Sequence, residues 1–77
     1  MPGKIVLIKD LEDDLRVRYR FGPDEARLGL LQLDKETGDV HEMKPAPCGQ
    51  PQEAFFPAAL KVREHWRGGA FPDRTES

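Results

Sequence analysis

Leu15-Arg16-Val17-Arg18-Tyr19-Arg20-Phe21 alternates apolar and arginine residues without a break. A β-strand turns successive side chains to opposite faces. A strand over 15–21 therefore puts Leu15, Val17, Tyr19 and Phe21 on one side and Arg16, Arg18 and Arg20 on the other. This one stretch sets a strand, its buried side and a basic ridge.

The neighbouring segments extend the pattern. Lys4-Ile5-Val6-Leu7-Ile8-Lys9 has the length and β-branching of a strand over 4–9. Leu11-Glu12-Asp13-Asp14 reads as the turn into the arginine strand, and Gly22-Pro23 ends that strand. A third strand spans 27–33. Asp34-Lys35-Glu36-Thr37-Gly38-Asp39 is a hairpin loop with Gly38 in the left-handed conformation, and a fourth strand spans 40–44. Pro45 to Pro51 is a connector. A helix follows over 52–67, with Phe55, Ala59, Val62 and Trp66 on one stripe that Ala58 widens. Pro57 belongs in its first turn or kinks it, and Gly68-Gly69 stops it. Phe71 folds back on the helix, and 72–77 is expected to fray. Short connections pair sequential strands antiparallel. The expected fold is α+β, a four-stranded antiparallel meander with one C-terminal helix on one face, in a single domain over 1–77.

A chain of 77 residues makes one domain with a modest core. Cys48 is its single cysteine, so no disulfide forms within it, and a reducing compartment is expected. No apolar run approaches the roughly 20 residues of a membrane span. Met1-Pro2-Gly3-Lys4-Ile5 lacks the apolar region of a signal peptide. These features lead us to expect a soluble, cytoplasmic bacterial protein with no membrane partner. Twelve basic and 14 acidic residues leave a net charge of −2. That balance creates no overall field toward nucleic acid, so any electrostatic role is local.

The two faces of the sheet are unequal. One helix covers one face, and the other should be polar. A two-residue loop in the first hairpin places Leu7 opposite Arg18, and a three-residue loop places Ile8 there. Either leaves aliphatic side chains on the arginine face. Leu28 and Leu30 likewise oppose Leu31 and Leu33 in facing. Arginine stems lying over these side chains would cover them. Otherwise the face is an interface, in a homodimer or with a different protein. The candidate interaction surface is Arg16, Arg18, Arg20, Leu7 and Ile8. The alternative is a nucleic-acid-binding domain using Arg16, Arg18 and Arg20 on phosphates. Strand alternation puts Tyr19 on the opposite face, so that platform lacks a stacking ring.

Other chemistry is weakly signalled. His41, His65 and Cys48 have no zinc-type spacing. Cys48 sits in Pro-Ala-Pro-Cys-Gly without a mark of low pKa. Glu12, Asp13 and Asp14, and Asp34, Glu36 and Asp39, fall in turns where carboxylates are solvated. No glycine-rich phosphate loop, GxSxG elbow or EF-hand loop is present. No catalytic, cofactor, metal or small-molecule site is expected, and the leading function is a non-enzymatic protein-interaction module. Trp66 is expected in the core against Leu15, Val17 or Tyr19, its indole N–H needing a partner.

The Asp34-Lys35-Glu36-Thr37-Gly38 hairpin and the ending Trp66-Arg67-Gly68-Gly69-Ala70-Phe71-Pro72 resemble a group of small bacterial proteins. That group has two β-hairpins and a final helix leading into a Gly-x-Phe segment. The resemblance implies the same fold. It implies no activity and transfers no functional residue.

Overall fold

The computed structural model describes residues 4–47, 49 and 51–76. Its elements are β1 (Val6–Glu12), β2 (Arg16–Gly22), β3 (Gly29–Asp34), β4 (Val40–Lys44), α1 (Pro51–Gly68) and β5 (Arg74–Glu76). The strands form one antiparallel sheet in the order β4-β3-β2-β1-β5, with the helix packed on one face. The fold is α+β, a four-strand meander plus a short edge strand.

The arginine strand lies at the centre of this sheet, between β1 and β3. Val17, Tyr19 and Phe21 are fully buried on the helix side, together with Leu7, Leu31 and Leu33. The helix answers with Ala54, Ala58 and Val62. Two alanines at this seam let the helix backbone approach the sheet closely. The centre of the buried stripe therefore lies on Ala54, Ala58 and Val62, not on Phe55 and Ala59 as the sequence spacing suggests. Phe55 lies at the border, its ring 5.7 Å from that of Phe21 at 59°. Pro57 falls beyond the first turn of α1, where it lacks the N–H that would reach the carbonyl of Glu53.

The first hairpin departs from both expected registers. β1 runs on to Glu12 and carries a bulge between Lys9 and Leu11, leaving Asp10 as the extra residue. Leu7 pairs with Phe21, Ile8 with Arg20, Lys9 with Tyr19, and Leu11 with Arg18. The bulge lets Lys9 and Glu12 both lie on the helix side. The turn is correspondingly short. The Asp13 carboxylate accepts the backbone N–H groups of Leu15 and Arg16, at 2.8 and 2.9 Å, which holds its carboxyl below the ordinary range. Leu15 falls in this turn, 53% exposed, and is not a core residue.

The expected fraying of 72–77 is also corrected. Arg74–Glu76 pairs antiparallel with β1, and the N–H of Lys9 donates to the carbonyl of Asp73 at 2.7 Å. Polar composition at a chain end reads as loose. Here the open edge of β1 supplies the missing backbone partners. Side chains hold the approach: the Tyr19 hydroxyl donates to Pro72 O at 2.5 Å, and Lys9 Nζ donates to Phe71 O at 3.1 Å. Lys9 also meets Glu12 at 2.8 Å and Asp73 at 3.1 Å. Glu12 bonds Lys35 at 2.9 Å, and Lys35 lies 5.2 Å from the Phe71 ring centre. The hydrogen bonds from Lys35 and Lys9 pull the Glu12 carboxyl below its usual range.

Trp66 closes the other side of this cluster. Its indole N–H donates to the carbonyl of Lys35 at 2.8 Å, so it grips the β3–β4 hairpin and not Leu15. Gly38, at φ 81°, lies beneath the ring. A Cβ there would sit 2.6 Å from a ring carbon. Gly38→Ala should therefore cost about 2 kcal/mol or more, from the left-handed backbone and the blocked ring. Urea denaturation monitored by Trp66 fluorescence measures this, and an unchanged midpoint would contradict it.

Burial pushes the Tyr19 phenol up to about 12. Below the ordinary value of 10.0, folded and unfolded chains are both protonated and stability is complete. Above it the unfolded chain ionises first, so stability falls until the folded phenol also titrates. Tyr19 is the only tyrosine. Ultraviolet titration should show its ionisation delayed and coincident with unfolding, and Tyr19→Phe should remove that part of the alkaline loss.

Candidate functional site

The register decides what the open face presents. Arg20 lies between Ile8 and Leu30, Arg18 between Leu11 and Gln32, and Arg16 beside Asp34. Ile8 and Leu30 are half-buried, while Leu11 is 42% exposed. Leu7, expected as a candidate for this face, lies on the helix side and is fully buried. The bulge and the longer β1 account for this, because they shift the pairing beyond both short-loop registers.

The arginine heads have local partners. Arg20 Nε and Nη2 each lie 3.2 Å from Asp10 Oδ1. Arg18 Nε donates to Gln32 Oε1 at 2.8 Å. Arg16 Nε is 3.8 Å from Asp13 Oδ2. Asp10 thus offsets the charge of Arg20 on the ridge. A small hollow of about 270 Å³ beside Arg16 is lined also by Leu15, Gln32, Asp34 and Glu36.

One end of the open face is covered. Gly22 shares that face with Val6, and a Cβ at Gly22 would fall 1.9 Å from the carbonyl oxygen of Arg27. The β2–β3 loop therefore lies directly on the strand, and Val6 is only 8% exposed. Asp24 and Arg27 pair within the loop at 2.7 Å, which draws the Asp24 carboxyl below its usual range. Glu25 from the same loop pairs with Arg74 of β5.

A second surface stands out at the opposite edge. Between β4 and α1 runs a groove of about 550 Å³. Val40, Phe55 and Ala59 line it, with Asp39, His41 and Arg63 among its polar groups. Phe56 and Leu60, one helical turn apart, also line it and remain 62% and 66% exposed. The Phe55 and Phe56 rings are 5.9 Å apart. The outer edge of β4 carries no further strand among the described residues. The signal for this surface was present in the sequence as an apolar pair four residues apart, off the core stripe.

Among the described residues, no group of three or more His, Cys, Asp or Glu is placed to hold a metal ion. His41 lines the groove, and His65 is on α1 with its Nε2 buried and without a partner among the described residues. Cys48 lies outside the described residues. No described helix is long and apolar enough to cross a membrane. In comparison with known proteins, the chain matches no family model, no curated protein and no solved structure.

The groove residues should be separable from the core by stability. Leu60→Glu should change the urea-unfolding free energy by no more than about 0.5 kcal/mol. Val62→Ala, two residues on and fully buried, should cost about 2 kcal/mol. Equal losses would mean that Leu60 supports the fold.

Proposed function

We propose that this chain is a non-enzymatic protein-interaction module, working through the groove between β4 and α1. The observation that carries this reading is the exposure of Phe56 and Leu60 beside an edge strand that has no outer neighbour among the described residues. Fully burying a Phe or Leu side chain is worth about 1.5–3 kcal/mol, and a small domain has few such groups to spare. A groove of this kind accepts an extended segment on the strand edge, its alternate side chains entering between strand and helix. The open face supports such a role less well. Val6 is buried there, Ile8 and Leu30 are half-buried beside arginine stems, Leu11 is exposed, and two of its arginines already face carboxylates. A reducing, cytoplasmic setting fits the single cysteine.

The test compares tagged full-length chain recovered from its host in three forms. These are wild type, Phe56→Glu/Leu60→Glu, and Arg18→Ala/Arg20→Ala, with co-purifying proteins quantified by mass spectrometry, the untagged copy of this chain among them and told from the tagged one by isotope label. Loss of the same protein in the groove variant alone is expected. Equal recovery in all three overturns the reading. Selective loss in the arginine variant, with steep weakening by salt, moves the site to the ridge and to phosphate contacts.

A further inference from the structure

β4 is charged asymmetrically. Asp39 immediately precedes it and Lys44 ends it. Among the described residues, neither side chain is held in an ion pair, nor is that of Arg63 in the groove. Apart from Glu42 near its middle, the strand is preceded by an acidic residue and ends on a basic one, so its two ends complement those of an antiparallel copy.

The backbone says which residues are available for pairing. The N–H of Asp34 donates to the carbonyl of Asp39 at 2.9 Å. Antiparallel ladders alternate hydrogen-bonded and non-hydrogen-bonded pairs. Leu33 and Val40 are then a non-bonded pair, Gln32 and His41 a bonded one, and Leu31 and Glu42 again non-bonded. Val40 and Glu42 accordingly turn their N–H and C=O groups to the free edge. An irregularity after Glu42 ends the regular stretch, leaving His41 at its centre.

We infer that the groove receives a second copy of this chain, β4 against β4, antiparallel about a two-fold axis at His41. The inference rests on the groove reading above and names its occupant. A two-fold axis normal to the sheet keeps side chains on their own faces, so paired residues must be of the same parity. Pairing Val40 with Glu42 of the partner copy meets that requirement, uses the outward-turned groups, and sets His41 opposite His41. It brings Asp39 of each copy to the end that carries Lys44 in the other. It also leaves both helices on one side of the joined sheet, with Phe56 and Leu60 from each copy facing across the seam. The same patch supplies projecting side chains and a groove, as an interface between identical surfaces requires.

Sedimentation equilibrium of the full chain, from micromolar to millimolar, tests this. The mass should rise from 8.7 kDa toward twice that value. Asp39→Lys and Lys44→Asp should each weaken association about tenfold, by setting like charges together at both ends. An equimolar mixture of the two variants should regain wild-type association, because each altered end then meets its opposite. Leu60→Glu should also hold the protein at the mass of one chain, with an unchanged far-ultraviolet circular dichroism spectrum. A single-chain mass at every wild-type concentration overturns the inference. So does association that ignores the charge variants or is not regained in the mixture. In either case the groove reading stands or falls separately, on whether Phe56→Glu/Leu60→Glu loses its captured protein.

Discussion

One helix can cover only one face of a sheet. Nearly every feature of this structure follows from that limit. On the covered side, Ala54 and Ala58 bring α1 down onto Tyr19, Phe21 and Leu31. On the uncovered side the chain uses other means. Arginine stems lie beside Ile8 and Leu30, and the β2–β3 loop rests on Gly22. The Glu25–Arg74 pair joins that loop to the far edge strand. Because ion pairs at a surface contribute little individually, the loop's close backbone approach is the firmer of these devices.

The same limit explains the cluster around Lys9. The helix packs on β2, β3 and β4 and leaves the helix side of β1 short of cover. The segment from Phe71 to Asp73 fills this place. The Tyr19 hydroxyl, which burial alone would leave unsatisfied, finds the carbonyl of Pro72. Trp66 and Lys35 bind the hairpin to the same corner. The polar groups there are matched to one another, which suits a structural joint.

Much of this was legible in the sequence, and the failures have physical causes. The Arg16 to Phe21 alternation placed a strand, its buried face and its ridge correctly, because period two leaves no other solution. The Asp34–Asp39 hairpin and the Gly69 stop were readable from turn chemistry; Gly38 and Gly69 have φ of 81° and 80°. The bulge at Asp10 was not readable, since the run Ile5 to Ile8 before it is apolar on both faces and fits either register. It moved Leu7 into the core and Glu12 onto the helix side. β5 was invisible for a related reason: Arg74, Thr75 and Glu76 have no apolar pattern, and their place is set by a strand edge supplied by distant residues. The groove was half legible. Phe56 and Leu60 can be seen to lie off the core stripe, but only the sheet order shows that β4 is an edge beside them.

The pairing of β1 with β5 also bears on the order in which the molecule can be made. Lys9 and Phe71, which bond each other, stand 62 residues apart. During synthesis β1 emerges before β5, and its outer edge stays open while the intervening strands and the whole helix emerge. The meander can assemble from neighbours, but that edge is sealed only when the last strand arrives. Contacts this distant in sequence are slow to form, and an open edge is where foreign strands attach. The nascent chain is therefore exposed to mispairing along the side of β1 that β5 later covers.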